Sequence, residues 1–221
     1  MRSVAEVARE MQLSPARVRQ LIASGALPAV RVGGRWVIMD GEAARHPEGR
    51  PWSETAAWGL LWLALGRRAP WLSVKQRQRI RLRLAEGLMA HGERLSVRGT
   101  SKWFRGHPSA LQRLGHDPRL IHSGLSGASS AGADLVVADR VEGYSRPVDV
   151  KALIAEYGLE PAPAGEGNVQ VRVVHDLWPF DSDEVVAPRL VVALDLLEQS
   201  DERTKRAGRS LLARVLREVP G

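Results

Sequence analysis

The sequence predicts an α+β fold, and three observations carry that expectation. Near the N-terminus two short segments show helical apolar periodicity, each with its own start signal. A β-type run then doubles back around Gly33-Gly34, and the last third alternates strand and helix patterns. A chain of 221 residues with 44% hydrophobic content can bury real cores in one or two domains, which excludes global disorder. The net charge of +7 is uneven: +3 in residues 1–50, +6 in 51–100, +1 in 101–150 and −3 in 151–221. A basic front half suits a polyanion, and an acidic rear suits a different task. With no cysteine, a disulfide scaffold, thiol catalysis and cysteine-ligated zinc are excluded. The longest apolar run, Ala56 to Gly66, is far below the ~20 residues of a membrane span, and the N-terminus lacks the apolar core of a signal peptide. A cytoplasmic protein without membrane contact is expected.

Ser3-Val-Ala-Glu6 reads as a capping box that starts a helix with Val4, Val7, Ala8 and Met11 on one face. Ser14 caps a second helix with Pro15 at its first position and Val18, Leu21 and Ile22 inward. Gly25 ends it and Pro28 prevents continuation. Two such helices joined by Gln12-Leu13 describe a helix-turn-helix. Ala29–Val32 and Arg35–Ile38 around Gly33-Gly34 form a tight hairpin that places Arg31 opposite Trp36 and Arg35 at the tip of a basic wing. A Pro/Gly-rich linker is placed at 46–51.

Ser53–Leu65 is apolar on nearly all sides and should be internal, with Trp58 and Trp62 one turn apart. Ser73 caps a helix from Val74 to about Met89 carrying Lys75 and arginines at 77, 79, 81 and 83. Leu95–Phe104 is predicted as a basic strand and Pro108–Leu114 as a short helix. Further on, Asp134–Ala138 and Val169–Val174 are predicted strands, Val148–Tyr157 a helix and Leu190–Glu198 an apolar helix opened by Pro188. Asp201 caps a last helix through Leu216, with Ala207, Leu211, Leu212 and Val215 inward. The expected domains are a DNA-binding head at 1–48, a helical basic middle at 49–120 and a partner-binding α+β domain at 121–221.

On the second helix Ala16 and Gln20 point directly away from the buried stripe, with Arg17 and Arg19 flanking them. Long cations at the margins suit phosphates, and a compact centre with an amide suits base edges. Ser14 stands with them at the helix start. In the middle region Arg77 and Arg81 share a face, as do Arg79 and Arg83, and either row could track a phosphate backbone. A solvated charged face is the plainer alternative. One head offers few phosphate contacts, so a homodimer or a second site on helix 75–83 is expected.

Residues 3–38, SVAEVAREMQLSPARVRQLIASGALPAVRVGGRWVI, resemble the excisionase/MerR-type winged helix-turn-helix. The resemblance implies a second helix in the major groove of double-stranded operator DNA and a wing on backbone or minor groove. By position it assigns Ala16, Arg17, Arg19 and Gln20, then Arg31, Arg35 and Trp36. A second likeness covers Ser123-Gly-Leu to Ala133-Asp-Leu-Val, Asn168-Val-Gln-Val-Arg-Val, and Val186 to Glu198 with Asp201 to Leu212. These segments look like AbiEi-type antitoxins, although the head differs in subtype from that family's usual winged helix. The likeness implies a type IV toxin–antitoxin pair with a nucleotidyltransferase toxin, and an antitoxin that represses its own promoter. Asp195, which interrupts the helix LVVALDLLE, is expected to pair locally with Arg203 or Arg206. Because the likeness includes it, Asp195 with Arg203 also stands as a candidate toxin contact.

Two other readings compete: a transcription factor without a toxin, and an Mg²⁺ nuclease. For the nuclease, Asp134 with Asp149-Val-Lys151 mimics two metal-holding carboxylates and a lysine. That chemistry needs Asp149 and Lys151 on a strand beside Asp134. Pro147 and the following ALIAEYG instead predict a helix start, where Asp149 is a first-turn acid. Histidines 46, 91, 107, 116, 122 and 175 show no metal spacing and are placed at the surface or in turns, and the tryptophans of 52–71 in the core. No catalytic residue, cofactor or metal site is expected.

Overall fold

The structure, a computed structural model, describes residues 2–10, 14–23, 29–32, 35–38, 52–135 and 139–218. The chain divides into two compact units, 1–50 and 51–221. In the first, β1 (Arg2–Ser3) leads into α1 (Val4–Glu10), α2 (Pro15–Ala23), β2 (Ala29–Val32) and β3 (Arg35–Ile38). The capping box forms: the Ser3 amide donates to Glu6 Oε2 at 2.7 Å and the Glu6 amide to Ser3 Oγ at 3.3 Å. Val7 and Ala8 of α1 meet Val18 and Ile22 of α2 in a small core, with Val4, Ala29 and Trp36 packed against it. The hairpin has the expected register, Arg31 opposite Trp36 and Val32 opposite Arg35. A further strand, β1, adds to β3 through Arg2 and Ser3; its two residues are too few to show a strand period in the sequence. Met11, Gln12-Leu13, Gly25, Pro28, Gly33-Gly34, His46 and the 46–51 linker lie outside the described residues.

The second unit runs α3 (Glu54–Ala64), α4 (Val74–Ala85), a 3-10 segment (Leu88–Arg98), β4 (Thr100–Arg105), α5 (Pro108–Leu114), β5 (Ile121–His122) and α6 (Gly124–Gly127). It continues β6 (Val141–Ser145), α7 (Pro147–Tyr157), β7 (Glu160–Pro161), β8 (Val169–Val173), α8 (Arg189–Leu197) and α9 (Glu202–Glu218). Its five-stranded sheet has the order β5-β6-β8-β4-β7, with β6 and β8 parallel. The boundary expected at 120/121 therefore falls inside one unit: β4, from the expected middle region, pairs with β7 and β8.

Strand alternation gives the sheet two different faces. Val169, Val171 and Val173 of β8 join Phe104 and Val141 in a core with α5 and α7. The intervening β8 positions, Gln170 and Arg172, are as buried but polar. The larger core brings α3, α8 and α9 together with Ile121 and Tyr144. Its centre is Trp58, whose ring stands edge-on to Trp62, Tyr144 and Phe180 at 5.2–5.3 Å. The Trp58 indole N–H donates to the Arg98 carbonyl at 2.7 Å, so the apolar helix is also tied to the polar side of the sheet.

Three expectations need correction. The strand predicted from Leu95 begins at Thr100, because the 3-10 segment turns Leu95 and Arg98 inward, and both are buried. Asp134 and Leu135 are not strand, and 136–138 lie outside the described residues. The strand is Val141–Ser145, whose five positions are all buried and whose Glu142 and Ser145 masked it in the sequence. His91 and His122 are buried rather than superficial. His91 packs 5.3 Å from Trp52, and burial pushes the His122 pKa down.

Asp195 makes the largest departure, since it has no exposed surface and pairs with neither Arg203 nor Arg206. The Arg98 guanidinium and the Ser123 hydroxyl donate to its two oxygens, Tyr144 OH donates to Oδ1 at 2.9 Å, and Arg172 Nε lies 3.3 Å from Oδ1. Burial alone would raise the Asp195 pKa, but Arg172, Arg98 and Ser123 hold it below the usual range. Asp195→Asn leaves two buried guanidiniums whose remaining ion-pair partner among the described residues is the half-exposed Glu198. We expect it to cost about 3–5 kcal/mol in urea unfolding, whereas Arg203→Ala, at the surface, should cost under ~0.5 kcal/mol. A cost below ~1 kcal/mol for Asp195→Asn would contradict the buried network.

Asp117 offers a pH test. Hydrogen bonds from Arg119, with another from Tyr157 OH at 2.8 Å, hold its pKa at about 2. Because the folded pKa is depressed, the contribution is intact above the unfolded value near 4 and is lost as pH falls from about 4 to about 2. It amounts to at most ~2 kcal/mol. Asp117→Asn should flatten the stability curve over that window in acid titrations, and an unchanged curve would contradict the assignment.

Candidate nucleic-acid interface

The head builds its surface from the position of α2. Val18 and Ile22, one turn apart, fix the buried side, so positions 16 and 20 fall on the opposite side by the 100° step of the helix. Ser14, Ala16 and Arg19 are exposed. Arg17 and Gln20 share this helix, and Arg31 and Arg35 sit on the hairpin strands; the side chains of these four lie outside the described residues. Trp36 differs from expectation, because its ring packs against the small core and leaves only part of itself to solvent. It braces the wing against the helices, a role that its place opposite Arg31 did not disclose.

The second expected surface, α4, starts with a full capping box. The Ser73 amide donates to Gln76 Oε1 at 2.9 Å and the Gln76 amide to Ser73 Oγ at 3.3 Å. Ile80 is its buried anchor. The two arginine rows each lose a member to the protein itself. Arg77 is half-buried and donates back to the Leu72 carbonyl at 3.3 Å, while Arg83 is half-buried with its guanidinium 4.8 Å from the Trp52 ring centroid. Lys75, Arg79 and Arg81 remain exposed. Arg81 thus keeps its place in the candidate surface, and Arg77 does not.

Asp195 and Arg203, expected together as a partner contact, do not come together. Asp195 is sealed in the core, and Arg203 is exposed on α9. The sequence signal that could have told them apart is a charge inside an otherwise apolar helix. Such an acid needs a buried base, and β8 supplies one at an alternating position, Arg172 in VQVRV. The nuclease arrangement also fails its geometric requirement. Asp149 and Lys151 lie on helix α7, with Asp149 in its first turn and its amide bonded to the Arg146 carbonyl at 3.1 Å. Asp134 is exposed. Among the described residues no group of three or more His, Asp or Glu could hold a metal ion, and no helix is long and apolar enough to cross a membrane.

No curated protein and no solved structure matches the chain. Residues 3–38 match the family model of a helix-turn-helix domain. The N-terminal unit therefore carries a helix-turn-helix domain, and that domain points to DNA as its ligand.

Proposed function

We propose that the protein is a DNA-binding regulator and, in finer terms, the antitoxin and autorepressor of a type IV toxin–antitoxin pair. The observation that carries the DNA-binding part is the geometry of α2: anchored by Val18 and Ile22, it exposes Ser14, Ala16 and Arg19 beside a hairpin that carries Arg31 and Arg35. Helix α2 enters the major groove of double-stranded DNA and the hairpin lies along the backbone. The operator is occupied by a homodimer, since one head makes few phosphate contacts. No catalysis and no cofactor are assigned to the chain.

The antitoxin part is supported by the likeness of segments 123–136, 168–173 and 186–212 to AbiEi-type antitoxins. Those segments contribute Ser123, Arg172 and Asp195 to one buried network, so the likeness lies in the framework of the second unit. The toxin is a nucleotidyltransferase that contacts the surface of that framework. The other binding-module reading, a transcription factor without a toxin, shares the head and lacks this partner.

Arg17→Ala and Arg19→Ala should each reduce the salt slope of operator binding by ~1, because each removes a phosphate contact. Gln20→Ala should relax preference at one base position by ~1–3 kcal/mol. Binding isotherms at several salt concentrations measure both. Unchanged slopes in both arginine variants would sink the docking of α2. For the antitoxin part, full-length protein co-expressed with a nucleotidyltransferase encoded beside it should restore growth, and the Arg17/Arg19 variant should restore it equally while losing repression of a promoter reporter. A neighbouring frame that encodes no such enzyme, or failure to restore growth, would leave the plain transcription regulator.

A further inference from the structure

Helix α9 turns Thr204, Gly208, Leu211, Leu212 and Val215 inward. Gly208 allows α8 to approach so closely that a Cβ there would lie 3.0 Å from Leu196 Cβ and 3.1 Å from the Ala193 carbonyl oxygen. On the flank beside that buried stripe, the helix walls an open groove of about 650 Å³ facing Asp134 and Leu135. Small residues, Ala207, Ser210 and Ala213, leave room in the groove, and two arginine pairs stand along it, Arg203 with Arg206 and Arg214 with Arg217.

Among the described residues the charges of this flank are largely uncompensated. The acids of α9 act elsewhere: Glu202 pairs with Lys205 and Arg209, and Glu218 with Arg189. Arg214 donates to the Gly132 carbonyl. Arg203, Arg206 and Arg217 have no hydrogen-bond or ion-pair partner among the described residues. Four guanidiniums thus meet one lining carboxylate, Asp134. Such mutual repulsion along a helix is unfavourable by itself and is relieved by a bound polyanion.

We propose that this groove is a second nucleic-acid site, in which the arginines of α9 hold a phosphodiester backbone. All four cations are arginine, whose planar fork grips phosphate oxygens in pairs. Fourteen residues separate Arg203 from Arg217, about 21 Å along the helix axis. A lone phosphate can engage one pair only, whereas a strand with ~3.4 Å of rise per nucleotide passes both. Carboxylates on an acidic protein would satisfy the same forks. Nucleic acid is favoured because the first unit is a helix-turn-helix domain, and to that extent the site rests on the DNA-binding reading above.

The test uses full-length protein, the variant Arg203→Gln/Arg206→Gln/Arg217→Gln, and the head variant Arg17→Ala/Arg19→Ala. Each is titrated with a duplex of about 20 base pairs and a single strand of about 20 nucleotides, both of arbitrary sequence, across a salt series. The groove variant removes no contact seen among the described residues, so its melting curve should match that of the parent. Its salt slope should fall by about 2.7 on the duplex or about 2.1 on the single strand, ~0.9 or ~0.7 for each of three lost phosphate contacts, and the head variant should lower the slope separately. An unchanged slope in the groove variant, with a reduced slope in the head variant, overturns the groove site and leaves the DNA-binding reading of the head standing. Parent protein that binds neither probe overturns the groove and the DNA-binding reading together.

Discussion

The second unit is organised around one buried carboxylate. Asp195 stands in the last turn of α8 between apolar neighbours, and none of its surface reaches water. An ion removed from solvent in this way costs several kcal/mol unless bases and donors surround it. The chain supplies them from four separate places: Arg98 at the end of the 3-10 segment, Ser123 just before α6, Tyr144 on β6 and Arg172 on β8. Each must arrive in register for the charge to be tolerated. The network therefore does less to add net stability than to penalise any packing in which α8 is rotated or the sheet slips by one residue.

The neighbouring groups extend the same constraint. Glu142, one residue away from Gly143 on β6, is nearly as buried; burial raises its pKa and the Arg172 charge opposes the rise. Its carboxylate accepts from the Leu125 amide at 3.1 Å and from Gln199 Nε2 at 3.1–3.2 Å. Gly124 between them has φ +54°, and a Cβ there would lie 2.0 Å from Glu142 Oε2. Only glycine fits so close an approach with that backbone. The Ser123-Gly124-Leu125 turn is thus fixed twice, by Asp195 on one side and Glu142 on the other.

The helices were legible because their signals are local: capping boxes at Ser3 and Ser73, prolines that open α2, α5 and α7, the unbroken apolar run of α3 and the apolar stripe of α9, while the two short runs around Gly33-Gly34 announced the pairing of β2 with β3. The strand Val141–Ser145 was not legible, because a strand buried on both faces carries no alternation and its Glu142 and Ser145 look like solvent residues until Gln199, Leu125 and Val173 are known to surround them. The same holds for Asp195. Its nearest basic residues in sequence are Arg189, Arg203 and Arg206, but its partners lie 23 to 97 positions away, and a local pairing rule cannot find them. In the head, the exposed positions of α2 followed directly from the buried stripe, whereas the packing of Trp36 required the third dimension.

Charge summed over segments misled in a comparable way. The −3 of residues 151–221 suggests an acidic surface that a basic toxin could meet, yet its acids are spread over buried Asp195, loops and paired positions, while α9 gathers six cations among seventeen residues. Local surface, not segment sum, decides what a partner meets, because exposed charges farther apart than about 8–10 Å are screened from one another at physiological ionic strength. An acid sealed in the core contributes nothing to the field at α9 that Arg98 and Arg172 do not cancel. The rear of the chain therefore offers a basic face along α9 where its summed composition implies an acidic one.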